Sequence, residues 1–188
     1  MLKPLTFPKE PVTLLDIKAY ARIDHDEDDE GLITLIQTAR HMVETYIARS
    51  LIIQKWRYTL SLHTKEKQGL SNNCRYGFWG LDLPRSPFIK LLTSPKLIKG
   101  DVENDIEDYK LDPAGRMARI YFNQALCDTD SHIQIDFEAG YGDEPHDVPS
   151  PLRQAILITV ADLYDRVNSG LSPAVTHMIR PYKVMGLA

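Results

Sequence analysis

The chain has little cysteine, no apolar run of membrane-spanning length, and no excess of positive charge. Only Cys74 and Cys127 occur, with no CxxC pair and no histidine at ligand spacing from either. A structural zinc site or a disulfide framework is therefore not expected, and two lone thiols suit a reducing compartment. No stretch approaches ~18 uninterrupted apolar residues, and Met1 to Pro8 lack the basic region and apolar run of a signal peptide, so no membrane association is expected. The formal charge of −4 argues against a protein devoted to wrapping nucleic acid, because phosphate neutralisation needs clustered Lys and Arg.

Signatures of chemistry are missing too. There is no GxSxG elbow, no GxxxxGK[ST], no GxGxxG and no HExxH, and the histidines His25, His41, His63, His132, His146 and His177 are scattered. Gly140-Tyr141-Gly142 is followed by Asp-Glu-Pro, not by a helix-opening phosphate loop. The acidic run Asp24, Asp26, Glu27, Asp28, Asp29 and Glu30 resembles an EF-hand at Asp24, Asp26 and Asp28. It fails where Gly and Glu are required, since Asp29 and Leu35 stand there. Acids at a helix start complement the macrodipole and solvate the loop, which is the simpler meaning. No catalytic residue, metal or cofactor is expected.

What is present is ordinary for a folded, water-soluble protein: 188 residues, 43% hydrophobic and 26% charged. That suffices for one domain, or for a domain carrying an insert. Thr13 with Asp16 forms a short-armed capping box for a helix reaching about Arg22, with Leu14, Ile17 and Ala21 on one face. A second helix carries Leu32, Ile36, Ala39, Val43 and Ile47 at three- and four-residue steps, with Gln37, Arg40, His41 and Glu44 largely off that stripe, and ends near Arg49.

The period then changes. Trp56, Tyr58, Leu60 and Leu62 alternate with Lys55, Arg57, Thr59 and Ser61, as in a half-buried strand. Residues 63–80 read as a long polar loop, and short strands follow at 81–83, 88–92, 96–99, 106–111 and 119–122. The clearest late strand is 132–138, where Ile133, Ile135 and Phe137 alternate with polar residues. Connections this short require antiparallel pairing. Ser150 as cap and Pro151 as first residue open a last helix, with Leu152, Ile156, Val160, Leu163 and Val167 on one face and Gly170 as its stop.

The expected fold is α+β: helices from the N- and C-terminal parts pack together, with an antiparallel β insert between them. The divisions are an N-terminal helical segment at residues 1–50, the insert at 51–147, a C-terminal helix at 148–170 and an extended tail at 171–188. The tail is apolar, short and interrupted by proline, and reads as an arm that orders against a partner.

Several segments together resemble the head-tail connector proteins of tailed bacteriophages. They are Val12-Thr13-Leu14, Lys18, Arg22-Ile23-Asp24 with Asp26, Val43-Glu44-Thr45-Tyr46, Arg49-Ser50-Leu51-Ile52 with Gln54 and Trp56, Leu83-Pro84-Arg85-Ser86-Pro87, Ala139-Gly140-Tyr141-Gly142, Val148-Pro149, and Leu152-Arg153-Gln154-Ala155-Ile156. The similarity covers most of residues 11–60, 81–89 and 133–168. It implies a non-enzymatic virion structural protein: an adaptor ring of about twelve copies under the portal, docking the tail or a stopper and enclosing the passage of double-stranded DNA. Its place is then the virion neck, reached after assembly in the host cytoplasm.

On that reading the candidate partner-docking residues lie between Leu171 and Lys183, chiefly Val175, Met178, Ile179 and Tyr182. Arg75, Tyr76, Phe78 and Trp79, in the long loop, are candidate exposed contacts. The alternative is a DNA-binding accessory protein of phage packaging, using Lys55, Arg57, Arg75 and Trp79. A metal-assisted hydrolase built on Asp24, Asp26 and Asp28 ranks far below both.

Overall fold

The computed structural model describes residues 1–62, 71–75, 78–114, 117–123, 131–167 and 169–184. The architecture is α+β, with a helical unit built from both ends of the sequence and an antiparallel β unit inserted between them. The chain forms two compact units. One holds Pro8–Ile53 and Tyr141–Val184; the other holds Met1–Phe7 and Gln54–Gly140.

The helical unit begins with α1 (Leu14–Ala21). Thr13 is its N-cap: the Thr13 hydroxyl accepts the Asp16 N–H at 3.1 Å, and the Asp16 carboxylate accepts the Thr13 N–H at 2.8 Å. The helix ends at Arg22, whose φ of 56° is left-handed. In α2 (Asp29–Ile47) the expected stripe Leu32, Ile36, Ala39, Val43 and Ile47 is buried. It meets Leu152, Ala155, Ile156 and Val160 of α3 (Ser150–Tyr164) in one apolar core.

Two details of α3 differ from expectation. Ser150 is the first helical residue and makes no side-chain cap, because Pro149 occupies the cap position. The helix stops at Tyr164, well before Gly170, because the chain turns at Arg166 in a left-handed conformation and leaves Val167 69% exposed.

Glu44 also departs from its expected place off the apolar stripe. It is 2% exposed, and each carboxylate oxygen has a partner. Arg40 donates to Oε2 at 2.9 Å, and the Leu51 N–H donates to Oε1 at 2.9 Å. Arg40 also grips Glu10, tying the segment before α1 to α2. Burial pushes the Glu10 carboxyl above its usual range despite Arg40 beside it. After the left-handed residue Ala48, the chain therefore turns around a fixed carboxylate.

The extended tail is a helix instead, α4 (Pro173–Ile179), followed by a 3-10 turn at Arg180–Tyr182. Ser172 caps α4, and Pro173 sits in its first turn, where a missing N–H costs nothing. Pro181 lies in the turn that follows. The prolines thus mark boundaries; they do not break a helix.

The inserted unit has two antiparallel sheets. In the six-stranded sheet, β1 (Leu2–Pro4), β2 (Gln54–Ser61), β10 (His132–Ala139), β6 (Lys96–Lys99) and β7 (Val102–Asp105) follow in that order, and β5 (Phe88–Leu91) also pairs with β10. The four-stranded sheet has the order β3 (Ser71–Arg75), β4 (Phe78–Asp82), β9 (Arg119–Asn123), β8 (Tyr109–Asp112). Ile133, Ile135 and Phe137 are fully buried, as the alternation requires, and join Leu81, Ile120 and Phe122 in one core. Cross-strand ion pairs hold the register. Arg57 is opposite Asp136 and bonds both its oxygens at 2.8 and 2.7 Å, and Arg119 does the same to Asp82 across β4 and β9. Strands β1, β3 and β7 carry no apolar alternation that would reveal them, and β7 is exposed throughout. No helix among the described residues is long and apolar enough to cross a membrane.

Replacing Glu44 by Ala strands the Leu51 amide and deprives Arg40 of a partner, and is expected to cost roughly 3–5 kcal/mol in chemical denaturation. Thr13→Ala should cost about 1 kcal/mol at neutral pH. Hydrogen bonds from the Thr13 amide and hydroxyl hold the Asp16 carboxyl below its ordinary value of 3.8. Its contribution is complete above that value and lost as pH falls through the lower folded one, so denaturation curves at decreasing pH should show the gap between wild type and Thr13→Ala narrowing in acid.

Candidate functional site

The acidic corner between α1 and α2 is partly neutralised by Lys18. Lys18 Nζ lies 2.5 Å from Asp26 Oδ1 and 2.6 Å from Asp29 Oδ1, and these hydrogen bonds raise the Lys18 ammonium above its usual range. The Tyr164 hydroxyl donates to Asp28 at 2.6 Å. Among the described residues no group of three or more His, Cys, Asp or Glu side chains is arranged to hold a metal. The described histidines, His25, His41, His132, His146 and His177, are all exposed, and His63 lies outside the described residues.

The candidate docking residues of the C-terminal segment separate into two groups. Val175 and Ile179 are 0% exposed and belong to the core of the helical unit. Met178 and Tyr182 are half-buried against it. The segment is held further by three contacts: Arg49 Nε donates to the Tyr182 carbonyl at 2.6 Å, the Val184 N–H donates to the Ile47 carbonyl at 2.9 Å, and the Lys183 ammonium stands 4.6 Å over the Tyr46 ring. The sequence pattern misses this role because α4 has only seven residues, too few for a repeating stripe.

Of the loop candidates, Arg75 ends β3 and Phe78 and Trp79 begin β4, while Tyr76 lies outside the described residues. Arg57 is committed to Asp136, and Lys55 stands exposed beside it on β2. Trp56 is 6% exposed under the Arg85 guanidinium, 5.0 Å from its ring, so it offers no stacking face. Burial also raises the Tyr58 hydroxyl above its usual range.

The Ala139-Gly140-Tyr141-Gly142 motif has a structural meaning. The Tyr141 N–H donates to the Leu51 carbonyl at 3.0 Å, and the Ile53 N–H to the Gly142 carbonyl at 3.0 Å. The chain thus leaves and re-enters the helical unit side by side. A Cβ on Gly142 would collide with the Asp147 side chain, whose carboxylate accepts the Glu144 N–H at 3.0 Å. The other feature not foreseen is a groove of about 380 Å³ where α2 begins and α3 ends, lined by Asp28, Leu32, Leu35, Leu163, Tyr164 and Arg166.

The described residues form an α+β fold whose helical unit is built from two separate stretches of the chain. Residues 11–76 match the phage gp6-like head-tail connector protein family, in agreement with the resemblance read from the sequence. No curated protein matches the chain. Among solved structures, a chain in the neck of the empty gene transfer agent particle, computed with C6 symmetry, superposes with a TM-score of 0.78 at 22% identity, covering 100% of this chain and 97% of that one. A chain of the native gene transfer agent virion gives 0.77, and one from the native particle's neck, computed with C12 symmetry, gives 0.69; identity and coverage are unchanged. The fold is the same in all three.

Core placement predicts that Ile179→Ala lowers stability by roughly 2–5 kcal/mol in urea denaturation. A residue serving only to dock a partner would leave the midpoint unchanged.

Proposed function

We propose that the protein is a non-enzymatic head-tail connector that forms a ring in the neck of a phage-like particle, between the portal and the tail or a stopper, around the path of the DNA. The observation that carries this reading is the conjunction of two facts. The connector family's pattern lies in residues 11–76, and the whole chain shares its fold with chains of a particle neck. The C12 and C6 symmetries of those neck structures support a ring of about twelve copies. A net charge of −4 suits a passage that lets DNA slide.

Docking contacts on this reading come from residues that the core leaves available. Met178 and Tyr182 keep part of their surface, whereas Val175 and Ile179 do not. Arg75, Phe78 and Trp79, on neighbouring strands, are retained as proposed contacts with the portal or tail.

Native mass spectrometry of the protein mixed with the portal encoded in the same genome tests the proposal. The expected result is a discrete complex with about twelve added copies. An intact portal that takes up none would overturn it and favour the DNA-binding alternative, whose mark is an affinity for duplex DNA that falls steeply with salt.

A further inference from the structure

Beyond Glu30, the exposed side of α2 carries no Lys, Arg, Asp or Glu. Its exposed side chains are Ile33, Thr34, Gln37, Thr38, His41 and Thr45, and Ile33 is 44% exposed. Arg40, on the flank of this face, is turned to Glu10 and Glu44. In a chain of which 26% is charged, a helix face that met only water would carry Lys and Glu, which are also better helix formers than Thr or Ile. The Thr34 hydroxyl donates to the Glu30 carbonyl at 3.1 Å, and the Thr38 hydroxyl to the Thr34 carbonyl at 2.9 Å. Each donor is used within the helix, so these side chains meet the outside chiefly through their methyl groups.

Helix α1 carries the matching feature. Leu15 is 77% exposed, and Ala19, also exposed, follows it one turn later on the side away from buried Ile17. The charged residues of the same helix are occupied: Asp16 accepts from Thr13, and Lys18 is paired with Asp26 and Asp29. On α2, Thr34, Gln37, Thr38 and His41 stand at i, i+3, i+4 and i+7, the four corners of a hole that receives one large side chain from a facing helix. Leu15 is a side chain of that kind, and Ala19 beside it is small enough to let two helices approach. Ridge and hole both stay exposed in one copy, so they do not fill each other there.

We infer that the Leu15–Ala19 ridge of one copy packs into the Thr34–His41 face of α2 on the next copy. The inference rests on the ring reading above, in which each copy meets its two neighbours through two different faces. Uncharged surface meets uncharged surface, so no unpaired charge has to leave water. The α2 face is roughly 20 Å long and about 10 Å across, or about 200 Å², a quarter of the ~800 Å² that each side of a stable free dimer buries. The contact therefore forms between copies held side by side on the portal, and not as a dimer in solution.

Exposed helix positions accept Glu and Lys without loss of helix propensity, which makes the test selective. Wild type, Leu15→Glu, Thr34→Lys/Thr38→Lys and the combined triple variant are titrated onto the portal encoded in the same genome and followed by native mass spectrometry, with melting curves of each protein alone. Both parent variants should melt no lower than wild type yet need at least about tenfold more protein to load the portal, and the triple variant should recover, because the introduced carboxylate and ammonium groups attract across the contact. If either parent melts lower, the milder Leu15→Gln and Thr38→Gln replace them and should show the same loss. Parents that load like wild type would overturn the inference and leave the ring reading intact, and a triple variant no better than its parents would overturn the pairing of these two faces. A wild type that the intact portal does not take up would overturn the ring reading, and this inference with it.

Discussion

The buried carboxylate of Glu44 is the constraint on which the helical unit depends. A charge that is 2% exposed survives only when its oxygens are occupied, and here Arg40 and the Leu51 amide occupy them. Three segments of the chain meet through it: the residues before α1 through Glu10 and Arg40, the last turns of α2, and the stretch leading toward β2. Arg40 alone between Glu10 and a missing Glu44 would keep one partner, but the Leu51 amide would have none. The turn after Ala48 is therefore set by an electrostatic contact more than by local propensity, since Ala at φ 56° has no intrinsic preference for that conformation.

From this turn follows the discontinuity of the fold. The chain leaves at Ile53 and returns at Tyr141, and the two backbones run beside each other through Ile52 and Gly142. Gly142 is required where Asp147 crosses closely, and Asp147 in turn orders the residues before α3. Among the described residues the chain passes between the two units after Phe7, after Ile53 and after Gly140.

Local regularity decides what is legible in the sequence. The capping box at Thr13 and Asp16, the α2 stripe and the alternation of Ile133, Ile135 and Phe137 each repeat a short-range rule, and each is found in the structure. Strand β7 carries no such signal because both of its faces are exposed, and β3 is composed of Ser71, Asn72, Asn73, Cys74 and Arg75. Backbone pairing to a neighbour makes them strands. The C-terminal segment misleads for another reason: Ser172-Pro173 is a helix start of the kind recognised at Ser150-Pro151, but Pro181 makes the whole segment look broken.

The sequence by itself determined the α+β class, the long helices with their buried faces, the strand with the strictest alternation, and the resemblance to head-tail connectors. All of these depend on residues a few positions apart. Only the tertiary structure decided that Glu44 is buried, that Val175 and Ile179 lie in a core, and that a groove opens where α2 begins and α3 ends. Those facts join residues far apart in the chain, such as Asp28 with Tyr164 and Arg49 with Tyr182. Burial and charge pairing are properties of the neighbours a residue acquires on folding, and no periodicity records them.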